Sequence, residues 1–154
     1  MIMNDSPEHF IELNWQRSSE DFSYETYNRN HLIQFPGGQF VKASSAPAYY
    51  GDSLLVNPEE SLLAALASCH MLTVLAIAAK KKLIVNHYQD RPTAILKANE
   101  KGQMMVSRVT LHPKITFSSQ VEQTVVEGLH NSAHKHCFIA NSLLSEQIIE
   151  PAFD

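Results

Sequence analysis

The chain contains 154 residues, of which 44% are hydrophobic and 18% are charged, and its formal net charge is −4. This composition is typical of a globular protein with a sizeable core, so we expect a single domain over residues 1–154. The mild acidity argues against a nucleic acid or an anionic membrane as the main partner. The first ten residues, MIMNDSPEHF, lack the basic start and long apolar run of a secretion signal, which favours a cytoplasmic location.

Residues 10–50 alternate between apolar and polar side chains in the manner of β-strands. Two runs stand out, FIELNWQR and FSYETYNRNHLIQF, and PGG at 36–38 marks a hairpin turn before a third, QFVKASSA. We therefore predict three antiparallel strands in this part of the chain.

A long helix is predicted over residues 57–82, NPEESLLAALASCHMLTVLAIAAKKK. Asn57 can cap its start, and Pro58 suits the first helical position. Glu59 and Glu60 complement the positive end of the helix dipole, as the three lysines complement the other end. These signals define both ends of the helix.

The middle of this helix is apolar on nearly every face, from Leu62 to Ala79. Eighteen such residues are at the lower limit for a membrane span, but polar groups at the centre of the run argue against lipid. We interpret it as a core helix. One chain of this size has little sheet with which to cover it, which suggests a homodimer. The central polar residues are Ser68, Cys69, His70 and Thr73.

The second half of the chain predicts strands followed by a helix. LIVNHYQDRPTAILKAN and MMVSRVTLHPKITF, separated by the turn KGQ, are typical of strands. SSQVEQTVVEGLHNSAHKHC predicts a second helix over 118–137, with Val121, Val125 and Leu129 at helical spacing. FIANSLL ends it, and the last residues are expected to form a tail. The order indicates an α+β fold with little sign of a parallel sheet.

The two cysteines, Cys69 and Cys137, are too few for a disulfide-stapled fold. In a reducing compartment they are either a redox couple or two buried apolar thiols. A reactive thiol needs a nearby cation or hydrogen-bond donors. His70 points away from Cys69 on a helix and is expected to pack or to lie at an interface. The candidate cations are Arg17, Arg29, Arg91 and Arg108.

Among these arginines, Arg29 in YNRNH is the most suggestive, because charge is otherwise sparse in that stretch. Taken alone, an exposed strand arginine is the simpler interpretation.

HNSAHKHC clusters His130, His134, His136 and Cys137, yet the spacing fits no known zinc pattern and histidines on a helix surface explain it as well. We expect neither a metal nor an organic cofactor, since GxGxxG, Walker and GxSxG motifs are also missing.

Two stretches together, NPEESLLAALASCHMLTVLA and SAHKHCFIANSLL, resemble the OsmC/Ohr family of osmotically inducible and organic hydroperoxide resistance proteins. The resemblance extends from about residue 15 to residue 150, and RNH and SCHM match the OsmC-like branch. It implies a single OsmC-like domain in which antiparallel sheets wrap around long central helices. It also implies an intertwined homodimer.

The resemblance further implies a two-cysteine peroxidase that reduces organic hydroperoxides, alkyl or fatty-acyl, to alcohols. Cys69 matches the peroxidatic cysteine, which would form a sulfenic acid, and Cys137 matches the resolving cysteine, which would form a disulfide with it. Arg29 matches the catalytic arginine and Glu59 the glutamate that would hold it through a bidentate pair. An external dithiol, a lipoylated protein or thioredoxin, would reduce the disulfide.

Glu59 and Cys69 are ten residues apart, about 15 Å along a straight helix. They can share a site only if the helix bends or a partner chain contributes. Tyr27, His31 and His70 are weaker candidates for lining the site. The alternative function is a non-catalytic, stress-associated binder of an apolar ligand on the same fold, which would need neither cysteine.

Overall fold

The computed structural model describes residues 8–153, which form two compact units that divide between Ser61 and Leu62. The N-terminal unit contains one antiparallel sheet in the order β1-β2-β3. Its strands are β1 (Glu12–Asn14), β2 (His31–Gln34) and β3 (Phe40–Ala43). The three predicted strands are confirmed, but the second is shorter than predicted because residues 22–30 form turns and irregular chain. The single domain expected from the sequence stays a prediction.

The predicted hairpin turn joins β2 to β3. The N–H of Phe35 donates to the carbonyl of Gln39 at 2.8 Å, and the N–H of Gly38 donates to the carbonyl of Phe35 at 3.0 Å. Gly38 has a φ of 84°, a conformation that side chains other than glycine rarely adopt. The PGG turn therefore sets the register of these two strands.

Helix α1 (Pro58–Lys80) begins where the sequence predicts. The N–H of Glu60 donates to Asn57 Oδ1 at 2.8 Å, and the N–H of Asn57 donates to Glu60 Oε2 at 3.0 Å. This reciprocal capping box satisfies two backbone donors at the helix start. Because Glu60 serves the cap, the neighbouring Glu59 is not used by it.

The C-terminal unit contains two further sheets and a second helix. Strands β4 (Val85–Gln89) and β7 (Lys114–Phe117) pair antiparallel, and a second sheet has the order β5-β6-β8. Its strands are β5 (Thr93–Ala98), β6 (Met104–Leu111) and β8 (Glu146–Ile149), and the second helix is α2 (Gln123–His136). This α+β architecture confirms the predicted fold class.

Two details of the predicted second half are wrong. The last residues form β8, which pairs parallel with β6, instead of a tail. Helix α2 begins at Gln123, five residues later than predicted, and its buried face differs in part: Leu129 is buried as predicted, but Val126 is buried in place of Val125, which is 39% exposed. A four-residue strand carries too little pattern to be recognised without its distant partner.

Helices α1 and α2 pack in two apolar clusters. One contains Leu66 of α1 with Cys137 and Ala140, against Val109 and Leu111 of β6. The other consists of four fully buried residues, Val74, Ala78, Leu129 and Ala133. These clusters place the residue after the end of α2, Cys137, inside the core.

Among residues 8–153, one face of α1 is buried and the other is exposed. The buried residues Leu66, His70, Val74 and Ala78 recur every fourth position, and only 22% of the most apolar 18-residue window is buried. Within the described residues α1 is also the one helix long and apolar enough to cross a membrane. The opposite face, here called the α1 stripe, is exposed: it consists of Ala65, Ser68, Leu72 and Ala76. The described residues thus leave one face of the core helix uncovered.

Candidate active site

The two cysteine side chains meet at the junction between α1 and α2. Cys69 lies in the middle of α1 and is half-buried, whereas Cys137, directly after α2, is fully buried. Both are free thiols, and the Cys137 side chain lies close enough to Cys69 to influence its ionisation. Helix α2 stops at Cys137, whose ψ of 115° turns the chain out of the helix. The structure therefore brings together the two cysteines that the sequence singled out.

The Cys137 thiol and backbone N–H groups after α2 lie close to the Cys69 sulfur. Burial opposes its ionisation, but hydrogen bonds from the Cys137 thiol and from the backbone N–H groups of Ile139 and Phe138 outweigh burial and lower the pKa of Cys69. The backbone donors come from the turn that follows α2. Because only the thiolate is a strong nucleophile, this arrangement favours reactivity at Cys69.

Cys137 has the opposite tendency. Burial raises the pKa of the Cys137 thiol to about 11, and the hydrogen bond and charge of Cys69 add to the rise. The N–H of Ala140, 3.4 Å from Cys137 Sγ, opposes it only in part. Of the two thiols, Cys69 is therefore suited to attack as a thiolate, whereas Cys137 stays protonated and can donate a hydrogen bond to it.

A cavity of about 810 Å³ opens beside Cys69. Its size is within the range of small-molecule sites. Cys69, Thr73 and the α1 stripe form one wall, and Phe138 and Ile139 form another. The remaining lining residues are polar: Lys135, His136 and Asn141. The cavity thus offers a half-buried thiol to a mainly apolar molecule.

Arg29 belongs to the N-terminal unit, in the irregular segment just before β2, and is only 8% exposed. The prediction of a strand position is wrong, and so is the alternative of an exposed arginine. Its guanidinium lies 3.7 Å from the ring centroid of Tyr27 and donates to the carbonyls of Tyr27 and Tyr24. The rings of Tyr24 and Tyr50 complete a tyrosine cage at 5.3 and 5.2 Å. Such stacking fixes the direction of a cation.

The Arg29 cage borders a second cavity, of about 550 Å³, in the N-terminal unit. Tyr27 and His31, both suggested by the sequence, line it together with Trp15 and Phe22. The Arg29 Nε atom is buried and has no hydrogen-bond partner among residues 8–153. This arginine therefore retains a donor for a further acceptor.

Glu59 lies in the first turn of α1, and its Oε2 atom is buried without a partner in the described part of the chain. The predicted bidentate pair with Arg29 is not formed there. The ion pairs of residues 8–153 are Arg108 with Glu146 and His112 with Glu150. The catalytic roles of Arg29 and Glu59 stay predictions, since both belong to the N-terminal unit and the cysteines to the C-terminal one.

His70, His130 and His136 each have a polar partner within the protein. His70 Nε2 and His130 Nδ1 are 3.0 Å apart, in two fully buried, stacked rings. His136 Nδ1 lies 2.8 Å from the carbonyl of Ser132. Between residues 8 and 153, no three histidine, cysteine or acidic side chains are grouped to hold a metal ion. His70 thus packs against α2, as expected from its position beside Cys69.

Sequence reasoning missed the backbone donors at Phe138 and Ile139 and the place of Lys135 in the cavity. A backbone N–H has no side-chain signature, so the donors could not be read from FIANS. Lys135 belongs to HKHC, a segment that the sequence analysis considered only for metal binding by its histidines and cysteine.

Comparison with known proteins gives the family. A profile described as OsmC-like protein matches residues 51–151. An OsmC-like protein of unknown function from Vibrio cholerae is 39% identical, with a TM-score of 0.90 over 95% of this chain and 99% of that one. No curated protein matches the sequence closely enough to be counted as a relative.

Two more distant structures share the fold. The organic hydroperoxide resistance protein OsmC of Legionella pneumophila is 18% identical, with a TM-score of 0.71 over 95% of this chain and 96% of that one. The organic hydroperoxide resistance protein OhrB of Bacillus subtilis is 16% identical, with a TM-score of 0.69 over 94% and 98%. With the profile and the Vibrio cholerae protein, they show that the chain belongs to the OsmC-like protein family and has the OsmC/Ohr fold.

Proposed function

We propose that the protein is a thiol-dependent peroxidase that reduces organic hydroperoxides to alcohols. The observation that carries the proposal is the pairing of a half-buried Cys69, whose pKa is lowered, with a buried Cys137 beside an apolar cavity. The names of the Legionella and Bacillus proteins, which share the fold, refer to organic hydroperoxide resistance and agree with this chemistry.

In the first step, the Cys69 thiolate attacks the distal oxygen of the hydroperoxide. An S–O bond forms as the O–O bond breaks, so the sulfur is oxidised by two electrons to a sulfenic acid. The leaving alkoxide takes a proton from solvent water and departs as the alcohol. The unused Nε donor of Arg29 is suited to orient the peroxide, and Glu59 to hold the guanidinium, once both reach Cys69.

In the second step, the Cys137 sulfur attacks the sulfur of the sulfenic acid, and the hydroxyl leaves as water. Oxidation removes the Cys69 thiolate, whose charge and hydrogen bond had helped to raise the pKa of Cys137. Cys137 therefore becomes easier to ionise when it is needed as a nucleophile. An external dithiol, a lipoylated protein or thioredoxin, then reduces the Cys69–Cys137 disulfide by exchange.

We further propose that the active form is a homodimer. The exposed α1 stripe is an apolar surface that a second copy would cover. Glu59 lies about 15 Å along α1 from Cys69, so a partner chain is the simplest source of the glutamate and arginine of a complete site. Sedimentation analysis tests this, and a monomeric, fully active protein would refute it.

The direct test of the peroxidase follows both thiols of reduced protein by thiol titration and intact mass after adding cumene hydroperoxide. We expect rapid loss of both thiols in the wild type and formation of one intramolecular disulfide. Cys69→Ser should abolish peroxide consumption, and Cys137→Ser should stop at the sulfenic acid of Cys69. Survival of both wild-type thiols in equimolar peroxide would exclude the mechanism.

The second candidate function is a binder of an apolar ligand, which the 810 Å³ cavity favours. A binder would retain a long-chain ligand without consuming peroxide, and Cys69→Ser would leave its affinity unchanged. The same variant therefore separates the two functions.

A further inference from the structure

The first step of the proposed reaction needs an acid as well as a nucleophile. When Cys69 takes the distal oxygen of the hydroperoxide, the other oxygen leaves as an alkoxide, which is a strong base and a poor leaving group until it is protonated. A group that delivers this proton must lie beside the departing oxygen. The donor is therefore to be found among the residues that line the cavity of Cys69.

Lys135 and His136 are the lining residues whose side chains can carry a proton to a base. Among residues 8–153, no aspartate, glutamate or tyrosine lines the cavity. The hydroxyl of Thr73 donates to the Cys69 carbonyl at 2.8 Å, and a hydroxyl or an amide is too weak an acid for this step. Cys137 is fully buried and lies outside the lining. The choice is thus between a lysine and a histidine at the end of α2.

The ring of His136 is oriented by its own helix. Its Nδ1 atom lies 2.8 Å from the carbonyl oxygen of Ser132, one turn back along α2. Because a carbonyl oxygen only accepts, Nδ1 carries the hydrogen of this bond, and Nε2 is the nitrogen that can take up and release a further proton. The side chain is exposed, so solvent can supply that proton. This arrangement is typical of a histidine that acts as a general acid.

Histidine suits the step better than lysine. General acid catalysis is most efficient when the donor exchanges its proton near the operating pH, which is a property of imidazole and not of an ammonium group. His136 also belongs to α2, and not to the α1 stripe that a second copy would cover. Its place in the cavity is therefore independent of what covers the stripe.

We infer that His136 is the general acid of the reaction and passes a proton from solvent to the leaving alkoxide. This inference rests on the proposed peroxidase function. As the S–O bond forms and the O–O bond breaks, the imidazolium gives its Nε2 proton to the alkoxide oxygen, and an alcohol and a neutral ring remain. Solvent water then returns a proton to Nε2, so the step needs no further reactant.

The experiment compares two oxidants that differ in their leaving group, cumene hydroperoxide and peracetic acid. The first releases an alkoxide, whereas the second releases acetate, which is stable without a proton. Reduced full-length protein is mixed with each oxidant in the absence of a reductant, and thiol loss is followed by quenching with N-ethylmaleimide and intact mass. Wild type is measured beside His136→Gln, which keeps a hydrogen-bonding side chain but cannot carry the proton.

We expect His136→Gln to slow oxidation by cumene hydroperoxide about 100-fold, at the lower end of the effect of general acid catalysis, and to leave the rate with peracetic acid within about twofold. Imidazole added to His136→Ala should restore part of the rate with cumene hydroperoxide and leave the rate with peracetic acid unchanged. The control His87→Gln replaces an exposed histidine of β4 outside the cavity lining and should behave as wild type.

Four results would overturn the inference and leave the peroxidase function standing. If His136→Gln slows both oxidants equally, the ring acts on Cys69 and not on the leaving group, and if it slows neither, the proton reaches the alkoxide without the ring. If Lys135→Met shows the loss confined to cumene hydroperoxide instead, the lysine is the acid. If His136→Gln lowers the sedimenting mass, the ring serves contact with a second copy.

A different result would overturn the inference together with the proposed function. If the wild-type thiols survive cumene hydroperoxide, no alkoxide is formed and no acid is needed. Wild-type protein is therefore measured first, and the His136 variants are compared with it under the same conditions.

Discussion

Two pairs of side chains join α1 to α2, and they behave in opposite ways. Cys69 and His70 are neighbours on α1. Cys69 interacts with Cys137 at the end of the second helix, and His70 Nε2 lies 3.0 Å from His130 Nδ1. Burial lowers the pKa of His70 to about 4, with the charges of His130 and His134 adding to it, and burial alone lowers that of His130 to about 4. The histidine pair is therefore neutral at neutral pH, whereas the pKa of Cys69 is shifted towards the charged form.

The difference between the pairs is in their donors. Burial disfavours charge on either side chain, but at Cys69 a thiol and two backbone N–H groups stabilise the thiolate. His130 Nε2 is buried with no partner in the described residues, so nothing there stabilises an added proton. The neutral His70–His130 pair packs α1 against α2 next to the Cys69–Cys137 pair, and so helps to hold the helices in the arrangement in which the two thiols meet.

The largest expected effect is the loss of folding stability at low pH, which comes from the buried His70–His130 pair. Folded-state pKa values of about 4, against 6.5 for an ordinary histidine, mean that below pH 6.5 the unfolded chain binds protons that the folded chain does not. Stability should thus be full above pH 6.5 and fall as the pH drops towards 4, by on the order of 3 kcal/mol for each histidine. Urea unfolding at several pH values in this window measures the loss.

The matched variants are His70→Gln with His130→Gln, which cannot take up the protons, and His87→Gln, an exposed histidine of β4. The double variant should flatten the pH dependence of the unfolding free energy, and the single one should leave it as in wild type. An equal effect of both would mean that the buried pair is not the cause.

An intermediate effect is expected from removing the thiol donor to Cys69. In Cys137→Ala the Cys69 thiolate loses one hydrogen bond, its pKa should rise, and alkylation by iodoacetamide near neutral pH should slow about tenfold. Cys137→Ser keeps a donating group at this position and should remain close to wild type. Equal rates in the alanine and serine variants would show that the backbone N–H groups alone set the reactivity of Cys69.

The sequence predicted the parts of this arrangement that depend on local signals. Helix α1 has its capping residue, proline and lysines within its own segment; its start was correct, and it ends at Lys80, two residues before the predicted end. Strand β8 was missed because its hydrogen bonds go to β6, whose Arg108 pairs with Glu146 across 38 positions of sequence. Long-range pairing of this kind leaves little trace in a four-residue run.

The candidate site divides in the same way. The cysteines could be named from the sequence because few side chains perform their chemistry. The burial of Arg29 could not be predicted from the sequence. It depends on Tyr50, which lies 21 positions away and reaches the guanidinium only in the folded unit. The donors of Phe138 and Ile139 are backbone groups, and their direction is decided by the turn that ends α2.

The smallest expected effect is that of Thr73→Val. The Thr73 hydroxyl donates to the Cys69 carbonyl at 2.8 Å, one turn back along α1, so it serves mainly the helix backbone. Valine has nearly the same shape, and we expect the unfolding free energy to change by less than about 1 kcal/mol. Alkylation of Cys69 should stay within about twofold of wild type, because the thiol and the backbone N–H groups remain. A loss of rate as large as that in Cys137→Ala would assign the lowered pKa of Cys69 to the hydroxyl instead, and the contrast between the two pairs would then depend on α1 alone.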